Sequence, residues 1–102
     1  MTRIVWSRRS LDDLDAIEAY IAKDHPAAAR RVVQRIVKRT DRLCPFPKSG
    51  GFVEEDDHHR YRQVIQGNYR VIYRFEEASN IVFIITVIHG ARLLDLEGLN
   101  VE

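Results

Sequence analysis

Polar and apolar side chains follow a strand rhythm from Arg60 to Phe75, and the chain is then almost wholly apolar from Ile81 to Ile88. Tyr69, Val71, Tyr73 and Phe75 fall on one face, while Arg70, Ile72 and Arg74 fall on the other. That is the two-residue period of an extended strand. Gly67-Asn68 interrupts the run. Both residues tolerate positive φ, so the pair predicts a tight turn, and 60–66 with 69–76 reads as a hairpin. Glu76 to Asn80 is polar and predicts the next turn. The run 81–88, apolar except for Thr86, predicts a strand buried on both faces. The expected unit is a three-strand antiparallel meander with its most hydrophobic strand last.

The first half of the chain repeats at three- and four-residue spacing instead. Arg3 to Ser7 predicts a short strand. Ser10 is a candidate N-cap, with Asp13 three residues on completing an approximate capping box. Asp12, Asp13 and Asp15 would then lie near the positive helix end. Leu11, Leu14, Ile17 and Ile21 form an apolar stripe, flanked by Tyr20, so the spacing predicts a helix over about 11–23. Lys23-Asp24-His25-Pro26 ends it, and Pro26 suits the first position of a second helix over about 26–43. Ala29, Val32, Val33, Ile36, Val37 and Leu43 form that helix's apolar side. Arg30, Arg31, Arg35, Lys38, Arg39 and Arg42 form a basic side. Pro45 and Pro47 terminate it. The two helices are expected to pair as a hairpin with their apolar stripes on the sheet. Residues 45–59 read as a loop containing the acidic run Glu54-Glu55-Asp56-Asp57, and 93–99 has some helical character limited by Gly98.

Composition narrows the class. The 102 residues allow one domain, 1–102. Sixteen Lys and Arg against fifteen Asp and Glu argue against a bulk nucleic-acid coat, though segregated charge permits a local basic patch. The single Cys44 has no internal disulfide partner and reads as a small buried hydrophobe in a reducing compartment. No secretory signal or transmembrane run is visible, so the cytoplasm is the expected location, with no membrane partner. Asp56-Asp57-His58-His59 has metal-ligand residue types. Neighbours in an extended segment point to opposite faces, so no metal or other cofactor is expected.

The phrase Tyr69-Arg70-Val71-Ile72-Tyr73-Arg74, followed by the run Ile81–Ile88 ending in His89-Gly90-Ala91-Arg92, resembles the ParE/RelE toxin superfamily of bacterial type II toxin–antitoxin pairs. The ParE-like branch, the plasmid-stabilisation proteins, is the nearer match. The resemblance extends through Asp13-Leu14, Tyr20-Ile21, His25-Pro26-Ala27-Ala28-Ala29 and Pro47 with Gly50. It implies an α+β fold of order β-α-α-β-β-β. It also implies one of two activities. ParE-like members poison DNA gyrase by binding. RelE-like members are ribosome-dependent mRNA endonucleases.

In the nuclease alternative, Arg70 and Arg92 would hold phosphate and His89 would serve as acid or base. This sequence departs from that pattern. Residues 93–102 contain no Tyr, His, Lys or Arg, and the loop before the hairpin has only Lys48 beside its acidic centre. Glu54 or Glu55 could be argued as a base, but the spacing selects neither. The departures favour the ParE-like reading, in which no residue is catalytic. Arg70, Arg74, His89 and Arg92 are then candidate contacts. Alternatively, Arg70 and Arg74 are solvent-facing strand residues paired with Glu76 or Glu77, and His89 is a strand terminator.

The resemblance also implies a cognate ParD-like antitoxin in a hetero-oligomer, its disordered C-terminal segment folding on the helix pair and sheet. Tyr20 would be an exposed contact for it, and Arg31 and Arg35 on the basic helix face would receive its acidic tail. The same face also reads as a solvated surface.

Overall fold

Ser7, rather than Ser10, starts the first helix. A computed structural model describes residues 1–99, and in it strand β1 (Arg3–Trp6) passes directly into helix α1 (Arg8–Ala22). Ser7 is extended, with φ −68° and ψ 160°. Its Oγ accepts from Ser10 N–H at 3.0 Å and donates to the Ile85 carbonyl at 2.8 Å. Both serines are cap-forming types. Ser7 takes the role because it alone stands where β1 ends against the sheet. Ser10 is fully buried one turn on, donating from its Oγ to the Ser7 carbonyl at 2.8 Å. The first turn consequently contains no acidic residue. Leu11 is exposed, and the buried side of α1 runs through Ser10 and Leu14.

Helix α2 (Pro26–Asp41) begins at the expected proline. A run of turns then leads to β2 (Gly51–Phe52), β3 (Arg62–Gln66), β4 (Tyr69–Glu76) and β5 (Ile81–His89), with a short 3-10 turn at Glu97–Leu99. The sheet order is β1-β5-β4-β3-β2. The expected meander is present, and the turn at Gly67 has φ +59°. β2, two residues inside the expected loop, adds an edge strand. β1 joins the other side, parallel to β5. β5 is therefore an interior strand, flanked by β4 along its length and by β1 from Ile81 to Ile84.

Both helices lie on one face of the sheet. Leu14, Ile36 and Leu43 pack there against Val64, Val71, Tyr73, Val82, Ile84 and Val87. The other face carries a smaller core, in which Ile72, Ile85 and Ile88 are covered by Val53, Tyr61 and Leu94. At the crossing of these cores, Ile72 is opposite Thr86 while Tyr73 is opposite Ile84. This bulge leaves Ile85 unpaired, as one extra residue on a strand does. Tyr73 is fully buried, with its hydroxyl donating to the Pro47 carbonyl at 2.8 Å and accepting from Gly50 N–H at 2.9 Å. Burial raises the Tyr73 pKa, with the Gly50 N–H opposing it. Cys44 is only half-buried and donates from its Sγ to the Thr2 carbonyl at 3.0 Å.

Candidate functional site at the end of strand β5

β1 is four residues long and its pairing ends at Ile84, so the last residues of β5 extend past it. α1 covers the open edge. Asp13, on α1, accepts from Thr86 Oγ and from Val87 N–H at 2.9 Å. It binds the sheet rather than closing a capping box. Beyond Asp13, α1 and β5 diverge and leave a cleft of about 380 Å³. Its floor is Ala16, Ile17 and Val87, its rim is Tyr20, Tyr69, His89 and Arg92, and it borders β5 at Ile88, whose side chain packs into the core of the other face. Tyr20 is 72 % exposed. Tyr69 meets His89 edge-on, ring centroids 5.7 Å apart, because the two residues are directly opposite in the β4–β5 ladder. His89 Nδ1 accepts from Ala91 N–H at 3.2 Å, which turns the chain away from the strand. An apolar floor with a few polar groups at the rim suits a side-chain anchor flanked by acidic or hydrogen-bonding groups.

Three residues singled out in the sequence, Tyr20, His89 and Arg92, thus share one cleft. Tyr69, on the same strand face as Val71 and Tyr73 and packed against the core, joins them at the rim. Its position beside the Gly67-Asn68 turn is the sequence signal that it lies at a strand end.

Arg70 stands behind this cleft. It is 8 % exposed, which corrects the expectation of a solvent-facing residue paired with Glu76 or Glu77. Its Nη1 and Nη2 donate to Glu55 Oε1 and Oε2 at 3.2 and 2.9 Å. Nη1 also reaches Gln63 Oε1 at 2.9 Å, and Nη2 the Arg92 carbonyl at 3.3 Å. The guanidinium Nε is buried without a partner. Glu55 in turn accepts from Leu94 N–H at 3.0 Å, so one ion pair joins the 53–61 loop, β4 and the tail. The Arg70 hydrogen bonds hold the Glu55 pKa down to about 2 against the upward push of burial, with help from Leu94 N–H.

Two of the four carboxylates in the acidic run, Glu55 and Asp56, are engaged internally, while Glu54 and Asp57 are exposed. Asp56 is buried and accepts from the N–H groups of His58, Arg60 and Tyr61. Burial pushes its pKa up, and those three donors together outweigh it, Arg60 first, so the carboxyl titrates lower than usual. Arg74 lies four residues further along β4, pairs with Glu76 at 3.3 Å and stacks over Phe83, away from the cleft. Arg31 and Arg35 are exposed on α2. Among the described residues, no three His, Cys, Asp or Glu are placed to hold a metal, and no helix is long and apolar enough to cross a membrane.

Sequence and structure comparisons agree on the relatives of this arrangement. The family described as "ParE toxin of type II toxin-antitoxin system, parDE" matches residues 4–94. The Y4kP protein of Sinorhizobium fredii is 54 % identical over 48 residues, which span 47 % of this chain and half of that protein. Toxin RelE2 of Caulobacter vibrioides is 33 % identical over 93 residues, 91 % of this chain and all of that toxin. Among solved structures, a chromosomal ParDE system from P. aeruginosa superposes with a TM-score of 0.73 at 21 % identity, over 87 % of this chain and 96 % of that one.

Proposed function

Because the chain belongs to the ParE toxin family of type II toxin–antitoxin systems, we propose that it acts by binding and poisoning DNA gyrase and is neutralised by a cognate antitoxin. The observation that carries this reading is the closure of Arg70. A ribonuclease of this fold needs free cations to stabilise phosphate charge. Here the Arg70 guanidinium is occupied by the Glu55 carboxylate, Gln63 and the Arg92 carbonyl. The Glu55 carboxylate already occupies the guanidinium fork that Arg70 would have to offer a phosphate. That favours a surface that works by contact over one that cleaves RNA.

The cleft supplies the contact surface. The antitoxin's C-terminal segment seats an apolar side chain on Ala16, Ile17 and Val87, packs against Tyr20, and offers acidic groups to Arg92 and His89. In this account Arg70 is a positioning residue. It fixes the backbone at Arg92 and through Glu55 the backbone at Leu94.

The direct test is a supercoiling and cleavage assay with purified gyrase and plasmid DNA, run beside a translation assay with ribosomes and mRNA. Accumulation of protein-linked linear DNA, abolished by the antitoxin, with mRNA intact, is the expected result. Ribosome-dependent mRNA cuts with gyrase unaffected would overturn the proposal in favour of the endonuclease alternative.

A further inference from the structure

The formal net charge is +1, yet the charges are unevenly placed. Six of the sixteen Lys and Arg lie on α2 or its C-cap, with only Asp41 of opposite sign on that segment. The five ion pairs found among the described residues all lie elsewhere. Arg31, Arg35, Lys38 and Arg42 follow one another at intervals of four, three and four residues, so they form one straight stripe. It extends about 16 Å along the helix. All four side chains are exposed. Towards its C-terminal end, Arg35, Lys38, Arg39 and Arg42 form a shallow cleft of about 190 Å³ with Gln66 from the end of β3.

Local structural roles account for only part of this. Lys38 and Arg39 lie in the last turn, where positive charge meets the negative end of the helix. That effect is confined to the terminal turn, and Arg31 and Arg35 lie N-terminal to it.

We infer that this stripe seats the phosphate backbone of duplex DNA, so that the toxin touches the DNA as well as the enzyme in the poisoned complex. The biological setting rests on the gyrase reading, while duplex binding by the chain alone is a separate property. Charge complementarity favours DNA over the antitoxin's acidic tail. A duplex presents one negative charge per about 1.7 Å of axis, and neutralising a row of them releases counterions. A protein segment gains its binding energy chiefly from an apolar or aromatic anchor in a pocket. Beside the stripe, Val32, Ile36 and Tyr69 line with Arg35 a hollow of only about 140 Å³, below the size of an ordinary ligand pocket, and Val33 and Val37 pack towards the core.

The test is fluorescence anisotropy of the purified chain with a mixed-sequence 20-base-pair duplex across 50–200 mM KCl. The wild type is expected to bind without sequence preference, with a log–log salt slope of about −3 to −4. Arg35→Ala/Lys38→Ala/Arg42→Ala should weaken binding at least tenfold and flatten the slope by about 2 to 3. Arg35→Lys/Arg42→Lys should retain most of it, and circular dichroism confirms that α2 persists in each variant. Salt-insensitive binding, unchanged binding by the triple Ala variant, or tighter binding of a poly-glutamate peptide than of the duplex would each overturn the inference. A parallel gyrase pull-down without DNA separates the two claims. Loss of gyrase capture by the wild type, with duplex binding intact, would sink the gyrase reading and leave the phosphate seat standing.

Discussion

Glu55 and Arg70, fifteen residues apart, form a two-pronged ion pair, with Nη2–Oε2 at 2.9 Å and Nη1–Oε1 at 3.2 Å. The pair closes off the strand arginine and pins the tail through Leu94 N–H. Bidentate guanidinium–carboxylate geometry is the strong form of such contacts. Removing one partner leaves the other desolvated and unpaired.

Glu55→Gln is therefore expected to lower stability by about 2–3 kcal/mol, read as a shift of the urea midpoint. The pH dependence has a definite sign. The folded-state pKa of Glu55, about 2, lies below the ordinary 4.5. Its contribution is then fully present above about pH 4.5 and is lost as pH falls towards 2. The wild type should lose stability across that window more steeply than Glu55→Gln. Parallel curves for the two proteins would show that the pair contributes nothing measurable.

Tyr20→Ala separates binding from folding. With its side chain 72 % exposed, its removal should change stability by no more than about 0.5 kcal/mol. Antitoxin affinity should fall at least tenfold, as expected for an aromatic contact at a cleft rim. Titration calorimetry with the antitoxin measures this. Unchanged affinity would remove Tyr20 from the interface.

Ser7→Ala removes both the helix cap and the donor to the Ile85 carbonyl. Loss of a Ser cap costs about 1 kcal/mol, and the abandoned sheet carbonyl adds about as much again. Ser10→Ala should act differently, because its hydroxyl bonds within the turn and caps nothing. Thermal melts of the two variants compare these roles, and a smaller loss in Ser7→Ala than in Ser10→Ala would contradict the assignment.

Gly50→Ala tests the close approach of the 46–50 segment to the sheet. A Cβ there would lie 2.6 Å from both the Gln63 carbonyl oxygen and the Tyr73 hydroxyl. One of those atoms is backbone, so the segment itself must move. A loss of about 2 kcal/mol or more is expected from this overpacking. Chemical denaturation provides the measurement, and wild-type stability in the variant would show that the segment gives way freely.

What was legible in the sequence was whatever is periodic and local. The alternation at Tyr69–Phe75, the apolar run from Ile81 and the Gly67-Asn68 turn all name their elements directly. Pro26 marked a helix start for the same reason. The misses are long-range choices between locally equivalent residues. Ser7 and Ser10 are both competent caps, and only the carbonyl of Ile85, 78 residues away, selects between them. β2 is two residues long, too short to show a period. Arg70 shares a sheet face with Arg74, yet one is buried against Glu55 and the other pairs on the surface with Glu76. Spacing alone could not distinguish them, because the difference is made by the 53–61 loop folding over one end of the strand. The cleft was half legible. Tyr20, His89 and Arg92 could be named, but their meeting depends on β1 stopping at Trp6.

The most direct measurement of the gyrase account is pulse-labelling of DNA and protein synthesis, side by side, after tightly controlled induction in a bacterial host. The account predicts that thymidine incorporation falls first while translation continues. Protein synthesis stopping first, with DNA synthesis following, would contradict it.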